Sequence, residues 1–177
     1  MKAASGSSSS PRPVAGPRKS RMSPALGRAN RSLYHASVLL AGWRRDEERG
    51  QLPQAVLSGA YGAGVQLHLQ RAYGWFLLSL QGGAQLPDIP PANVSELLAA
   101  SSDEMDARRG EFTEFRQLEN EGWLHSLLYL APSPTARSNI ASLAQDVGSD
   151  YDLDTCQRWQ DQLEAVIERM VDSMEES

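Results

Sequence analysis

The sequence predicts an all-α fold, a bundle of four principal helices with one or two short helices. Long stretches carry apolar residues at three- and four-residue spacing, and clusters of glycine and proline separate these stretches. No run alternates apolar and polar residues in the way that indicates a strand. With 177 residues, 41% of them hydrophobic, the chain is expected to form one domain over residues 23–177.

Residues 1–22 form a basic segment that is rich in serine, proline and glycine and contains no acid. Such a segment buries too little apolar area to offset its chain entropy, so a disordered tail is expected. A mis-assigned start is an alternative, because Met22 opens the patterned part of the chain. An arm for nucleic acid or membrane, or an organelle-targeting peptide, is the third alternative.

The first principal helix is predicted to begin after Ser23 and to end at Gly50. Ser23 followed by Pro24 is typical of an N-cap and first turn, and glycine is typical of a helix C-terminus. One apolar stripe runs along this helix at helical spacing, and it is expected to face the core. Its members are Leu26, Ala29, Leu33, Ala36, Leu40 and Trp43.

The second helix is predicted from about Pro53 to Leu80, close to 28 residues and so about 42 Å long. Its downstream half is apolar around most of its circumference, so this helix is expected to be central and to touch the other long helices. The stretch GAYGAG within it is not a phosphate loop, because it lacks the G-x-G-x-x-G order and follows no strand. We interpret its glycines as positions where a neighbouring element approaches closely.

A short helix is predicted after Asn93, which forms a capping-box pattern with Glu96. Residues 111–130 are predicted as the third principal helix, with an apolar face of Phe112, Phe115, Trp123, Leu127 and Leu130. Residues 136–147 can add a second short helix. The last principal helix is predicted over residues 153–174, and the apolar face expected for it comprises Trp159, Leu163, Val166, Ile167 and Met170.

The charge is distributed unevenly along the chain. Residues 1–45 hold nine basic residues and no acid, whereas residues 46–177 hold eight basic residues and all 22 acids. An acidic body repels phosphates, so nucleic acid is expected to bind only through the basic tail, if at all. No apolar run reaches the ~18 residues of a membrane span, and no secretory signal is recognised. The single cysteine, Cys156, excludes an internal disulfide framework, and a soluble cytoplasmic protein is expected.

The stretch RANRSLYH, residues 28–35, is the candidate for catalysis. It is similar to the R-x(4–6)-H pattern of some helical-bundle ribonucleases, in which arginine stabilises phosphate charge and histidine transfers a proton. The catalytic candidates are therefore Arg28 or Arg31 with His35. The alternative, which we prefer, is a solvated helix face, because His35 lies about 125° from the middle of the apolar stripe at 100° per residue.

The three histidines lie one on each of three predicted long helices, so a shared metal site has to be considered. Helical-wheel positions oppose it, because His68 lies within an apolar face whereas His35 and His125 lie on polar sides. Glu121 and His125 are also four residues apart, unlike the Glu-x-x-His pair of ferritin-like proteins. Neither a metal nor a cofactor is therefore predicted.

The stretch DYDLDTCQRWQD, which begins at Asp150, starts like a calcium-binding loop. A calcium loop needs glycine at its sixth position and glutamate at its twelfth, where this chain has Thr155 and Asp161. We interpret Asp152 or Asp154 as the N-cap of the last helix instead.

The helical pattern resembles an uncharacterised bacterial family, a domain of unknown function of pseudomonads and related gammaproteobacteria. The resemblance rests on ANRSLYHASVLL, LHLQRAYGWFLL and FRQLENEGWLHSLL, with the closing acidic helix that ends in MEES. It covers residues 23–177 and implies an all-helical fold and a bacterial origin, and it supplies no activity to transfer.

Two hypotheses about function follow from the sequence. The first is a non-enzymatic protein-interaction or regulatory module, whose acidic surface binds a protein partner or a second copy of the chain. The alternative is a helical-bundle ribonuclease or toxin-like protein that uses Arg28 or Arg31 with His35.

Overall fold

The computed structural model describes residues 23–82, 86–100, 110–130 and 151–175. Within these ranges the chain forms helices and no strand, which confirms the predicted fold class. The helices are α1 (Pro24–Arg49), α2 (Gln54–Gln81), α3 (Val94–Ala100), α4 (Gly110–Glu121), α5 (Trp123–Tyr129) and α6 (Leu153–Glu175). The basic segment 1–22 and the short helix predicted over residues 136–147 lie outside the described residues.

Both predicted ends of α1 are confirmed. The Ser23 hydroxyl accepts a hydrogen bond from the backbone N–H of Leu26 at 3.1 Å, and Pro24 is the first helical residue. Gly50 ends the helix in the left-handed conformation, with φ 60°, and its N–H donates to the Glu47 carbonyl. Only glycine adopts this conformation without a steric cost, so the position of the helix end is encoded locally.

Helix α2 is the central element, as its apolar character predicts. It packs against α1, α3, α5 and α6, and it reaches α4 through the Tyr73 ring, whose centroid lies 5.4 Å from that of Phe115. Leu77 and Leu80 at its end are buried, as predicted. The largest side chains that the core encloses completely include Trp43, Tyr73, Phe76, Phe112 and Phe115.

The third principal helix predicted over residues 111–130 is wrong in one respect, because the structure divides it into α4 and α5. Gly122 separates the two with extended backbone angles, φ −104° and ψ −173°. The break shifts the buried face, so that Leu124 is buried while Trp123 is only partly buried. A helical wheel assumes a constant rotation of about 100° per residue, so it cannot show a break after which different positions face the core.

Two glutamine side chains of α2 hold the end of α5. Gln66 Nε2 donates to the carbonyls of Leu127 and Leu130 at 2.8 and 2.9 Å, and Gln70 Nε2 lies 3.2 Å from the Leu127 carbonyl. The last carbonyls of a helix have no intrahelical partner, so these bonds satisfy groups that burial would otherwise leave unpaired. The Gln66 Oε1 atom in turn accepts the Tyr151 hydroxyl at 2.6 Å.

Helices α3 and α6 agree with the sequence analysis. Asn93 Oδ1 accepts the Glu96 N–H at 2.8 Å, and the Glu96 carboxylate accepts the Ala92 N–H at 2.7 Å, which is a variant of the predicted capping box. Helix α6 covers the predicted range and buries Trp159, Leu163, Ile167 and Met170, while Val166 is half-buried. Cys156 is also fully buried on this face.

Candidate functional site

Helices α1 and α2 form an antiparallel hairpin in which paired positions face each other at regular intervals. A Cβ added at Gly42 would lie 3.3 Å from the Tyr61 ring, and one added at Gly64 would lie 3.1 Å from Leu39 Cδ1. His35 continues this register, because its ring centre lies 5.1 Å from that of His68 at an interplanar angle of 73°. The small residues let the two helices approach closely, and the approach brings the two histidines together.

This contact corrects the expectation that His35 points away from the other histidines. His35 is exposed, as its wheel position predicts, but it lies at the edge of α1 where α2 packs. His68 is half-buried on the facing edge of α2. Burial lowers the pKa of His68 first, and the neighbouring His35 and Arg71 lower it further. These effects favour the neutral form of the His68 ring.

The outward surface of the hairpin is apolar and uncharged between Arg31 and Arg44 on α1 and from Val56 to Leu67 on α2. Three large side chains project from it, with exposed fractions of 66% for Tyr34, 51% for Val38 and 45% for Leu67. Smaller exposed residues lie among them at helical spacing. We define the hairpin face as Tyr34, Val38 and Ala41 on α1 together with Val56, Ala60, Ala63 and Leu67 on α2.

The absence of charge on this face is a property of the sequence. Helix α1 has no Asp, Glu, Lys or Arg between Arg31 and Arg44. Along the next segment, Arg71 is the single charged residue between Arg49 and Asp88. Because α1 and α2 are antiparallel with His35 opposite His68, the two uncharged stretches lie side by side.

Two of the three residues of the predicted ribonuclease pattern contact α2, Arg28 through Trp75 and His35 through His68. The Arg28 guanidinium lies 4.5 Å from the centre of the Trp75 ring, and Arg28 Nη1 donates to the Pro87 carbonyl at 3.4 Å. Arg28 therefore stacks on α2 and holds the segment that leads to α3. Arg31 is exposed one turn before His35.

The third histidine lies apart from this pair. His125 is exposed on α5, and its ring centre lies 5.0 Å from that of Tyr129. Among the described residues, no group of three or more histidines, cysteines or acids could hold a metal ion.

Asp152, in the stretch that begins like a calcium-binding loop, caps helix α6. Its Oδ1 atom accepts the Thr155 N–H at 2.7 Å.

The glycines of GAYGAG differ in what they approach. A Cβ at Gly62 would lie 2.5 Å from atoms of the Tyr151 side chain, whereas a Cβ at Gly59 would have open space. Gly74, further along α2, lies directly under Pro90 and Pro91. Close approach of a neighbour therefore explains Gly62, Gly64 and Gly74, and it does not explain Gly59.

A buried carboxylate on α4 was missed by the sequence analysis. Glu119 Oε1 accepts the Tyr73 hydroxyl at 2.7 Å and the Val94 N–H at 2.8 Å, and the residue is 7% exposed. Burial and the adjacent Glu119 carboxylate raise the pKa of the Tyr73 hydroxyl, so it remains a donor. The spacing of Glu119 from Phe112 and Phe115 places it on their apolar face, and this signal could have revealed it.

A groove and the buried Cys156 offer less for a reaction than the histidine pair does. A groove of about 440 Å³ lies between the end of α2, the segment before α3 and α3, with Leu78, Leu86, Ile89 and Leu97 in its walls. The buried position of Cys156 raises the pKa of its thiol to about 12, so the reactive thiolate does not form near pH 7.

In the described part of the chain, no helix has the length and apolarity that a bilayer crossing needs.

Comparison with known proteins identifies a family. The model of a family of unknown function, DUF6586, matches residues 22–177. No curated protein and no solved structure matches the chain. The family match confirms the resemblance to a domain of unknown function that the helical pattern predicts.

Proposed function

The chain belongs to DUF6586, a family of unknown function, and we propose that it is a non-enzymatic interaction module whose hairpin face joins two copies of the chain. The observation that carries the proposal is the clustering of exposed apolar side chains on this uncharged face. Tyr34 and Leu67 each leave about half or more of their surface in water. Contiguous exposed apolar surface on a globular domain marks an interaction site.

A second copy fits this face better than a charged partner does. In a two-fold symmetric contact the same surface meets itself, so any net charge on it would repel. The hairpin face carries no charge, whereas the chain from residue 46 onward has a large excess of acids. The face itself therefore adds no charge repulsion between two copies.

The shape of the hairpin face also suits self-association. The exposed side chains of Tyr34, Val38 and Leu67 are large, whereas those of Ala41 and Ala60 are small. A surface that mixes large and small side chains can interdigitate with a copy of itself. The alanine positions also let the two hairpins approach closely, which increases the van der Waals contact between them.

The dimensions of the face predict a weak dimer. Residues 54–70 of α2 span ~25 Å, and two packed helices present a width of ~20 Å, which gives ~500 Å² on each copy. The total of ~1,000 Å² is at the lower limit for specific association, so we expect a Kd in the micromolar range. A cytoplasmic location in a bacterium belongs to the same proposal, and the lone cysteine supports it because it allows no internal disulfide.

The test compares two substitutions of exposed apolar residues by sedimentation velocity on the full chain. Leu67→Glu places a charge on the hairpin face, and Ile89→Glu places one at a residue that is 81% exposed and lies outside it. Between about 1 and about 200 µM, a range that brackets a micromolar Kd, wild type and Ile89→Glu are expected to convert from monomer to dimer. Leu67→Glu is expected to remain monomeric with an unchanged melting temperature.

Two outcomes would contradict the proposal. Wild type that remains monomeric over the whole range would exclude a dimer of this strength. Leu67→Glu that dimerises as wild type does would place the contact on another surface.

A further inference from the structure

The contact between His35 and His68 suggests chemistry that the interaction proposal does not use. Each histidine is fixed by its own helix, and close packing beside the pair, at Leu39 against Gly64, fixes the separation of the two helices. His35 is exposed and His68 is half-buried, so the pair opens to solvent on one side. Two imidazoles are thus positioned together before any ligand arrives.

The separation of the rings matches that of two ligands on one metal ion. Two imidazoles on a tetrahedral zinc, with Zn–N bonds of about 2.1 Å, have ring centres about 5 Å apart. The ring centres of His35 and His68 are 5.1 Å apart. The separation of the two rings is therefore compatible with both acting as ligands of one ion.

The surroundings select the kind of ion. Acids are missing from α2 and from α1 before Asp46, and Arg31 and Arg71 lie one turn from the pair. This environment gives no advantage to calcium or magnesium, which prefer oxygen ligands. Imidazole nitrogen favours zinc, nickel and copper.

We propose that His35 and His68 form a two-histidine site for a divalent transition-metal ion such as zinc, with water in the remaining coordination positions. The site is complete within one chain, so this inference goes beyond the proposed dimer and does not depend on it. Two protein ligands in a basic environment predict weaker binding than three- and four-ligand zinc sites achieve.

The test is calorimetric titration of zinc chloride into the full chain, without a histidine tag, with every variant at the same concentration of about 5 µM, which lies within the range of the expected monomer–dimer equilibrium. We expect one zinc per chain. His35→Ala and His68→Ala are each expected to weaken binding at least ~10-fold, whereas His125→Ala, the matched control, is expected to bind as wild type does.

The thermal transition gives an independent measurement, because an ion that binds only the folded chain raises the Tm. Zinc is expected to raise the Tm of wild type and of His125→Ala, and to leave that of His35→Ala and His68→Ala unchanged. Equal zinc affinity in all three variants would overturn the proposal, as would a loss in His125→Ala equal to that in His35→Ala. These outcomes concern zinc alone and leave the sedimentation test of the dimer unaffected.

Discussion

The α1–α2 hairpin and α6 each bury one side in the same core, but their solvent-facing sides differ in chemical character. The exposed residues of α6 include Asp154, Arg158, Asp161, Glu168 and Asp172. The hairpin face has no charge and exposes Tyr34 and Leu67. A helix with a charged outer side is satisfied by water in the monomer, whereas an apolar outer side gains free energy from a further contact. This contrast is the basis for proposing the hairpin face, and not the outer side of α6, as the surface that joins two copies.

The inner sides of the two regions differ as well. Helix α6 packs through large side chains, including Trp159 and Leu163. Helix α2 packs through glycine at the points where Tyr151 and Pro91 approach. Large side chains can shift to absorb a small change, whereas a backbone that contacts another backbone cannot. Substitutions of glycine within α2 therefore distinguish its tightly packed side from its open side.

The largest predicted effect is that of Gly74→Ala. The added Cβ would overlap the Pro91 carbonyl and lie 2.9 Å from Pro90 Cβ, so the backbone on one side must move. We expect a loss of about 2–4 kcal/mol in the free energy of unfolding, measured by urea denaturation.

Gly59→Ala is the control for this prediction, because its Cβ would meet open space. It removes a glycine from a helix interior, so we expect a gain of about 0.5–1 kcal/mol. Losses of similar size in both variants would show that α2 is not packed as described.

The smallest predicted effect concerns ribonuclease activity. The Arg28 guanidinium already contacts the Trp75 ring and the Pro87 carbonyl, so we prefer a structural role for it. We expect wild type and His35→Ala to leave structured and single-stranded RNA equally intact, in the presence of EDTA to exclude bound metal. RNA cleavage by wild type that falls at least ~100-fold in His35→Ala would make the histidine a general acid or base and refute our preferred interpretation.

The sequence predicted the features that depend on local chemistry. The ends of α1 followed from Ser23, Pro24 and Gly50, because capping involves residues within one turn. The break at Gly122 was missed, because glycine inside a helical pattern is often tolerated and the apolar spacing continued past it. Only the packing around this residue shows that the helix ends there.

The candidate site was predicted only in part. His35 was recognised as exposed, but its contact with His68 was not, because the wheel of one helix does not show which neighbour lies at its edge. The side-by-side placement of two uncharged stretches likewise depends on the register between α1 and α2. Tertiary packing determines that register, and no short motif in the sequence encodes it.

Chemical cross-linking between copies tests the central claim most directly. Ala60→Cys places a thiol on the hairpin face, and Glu168→Cys places one on the exposed side of α6. Cys156 does not compete at neutral pH, because it is fully buried and its pKa is raised to about 12. With a short bis-maleimide, we predict that Ala60→Cys forms covalent dimers and that Glu168→Cys remains monomeric. Equal cross-linking of both variants, or cross-linking of Glu168→Cys alone, would contradict the assignment of the hairpin face as the surface that joins two copies.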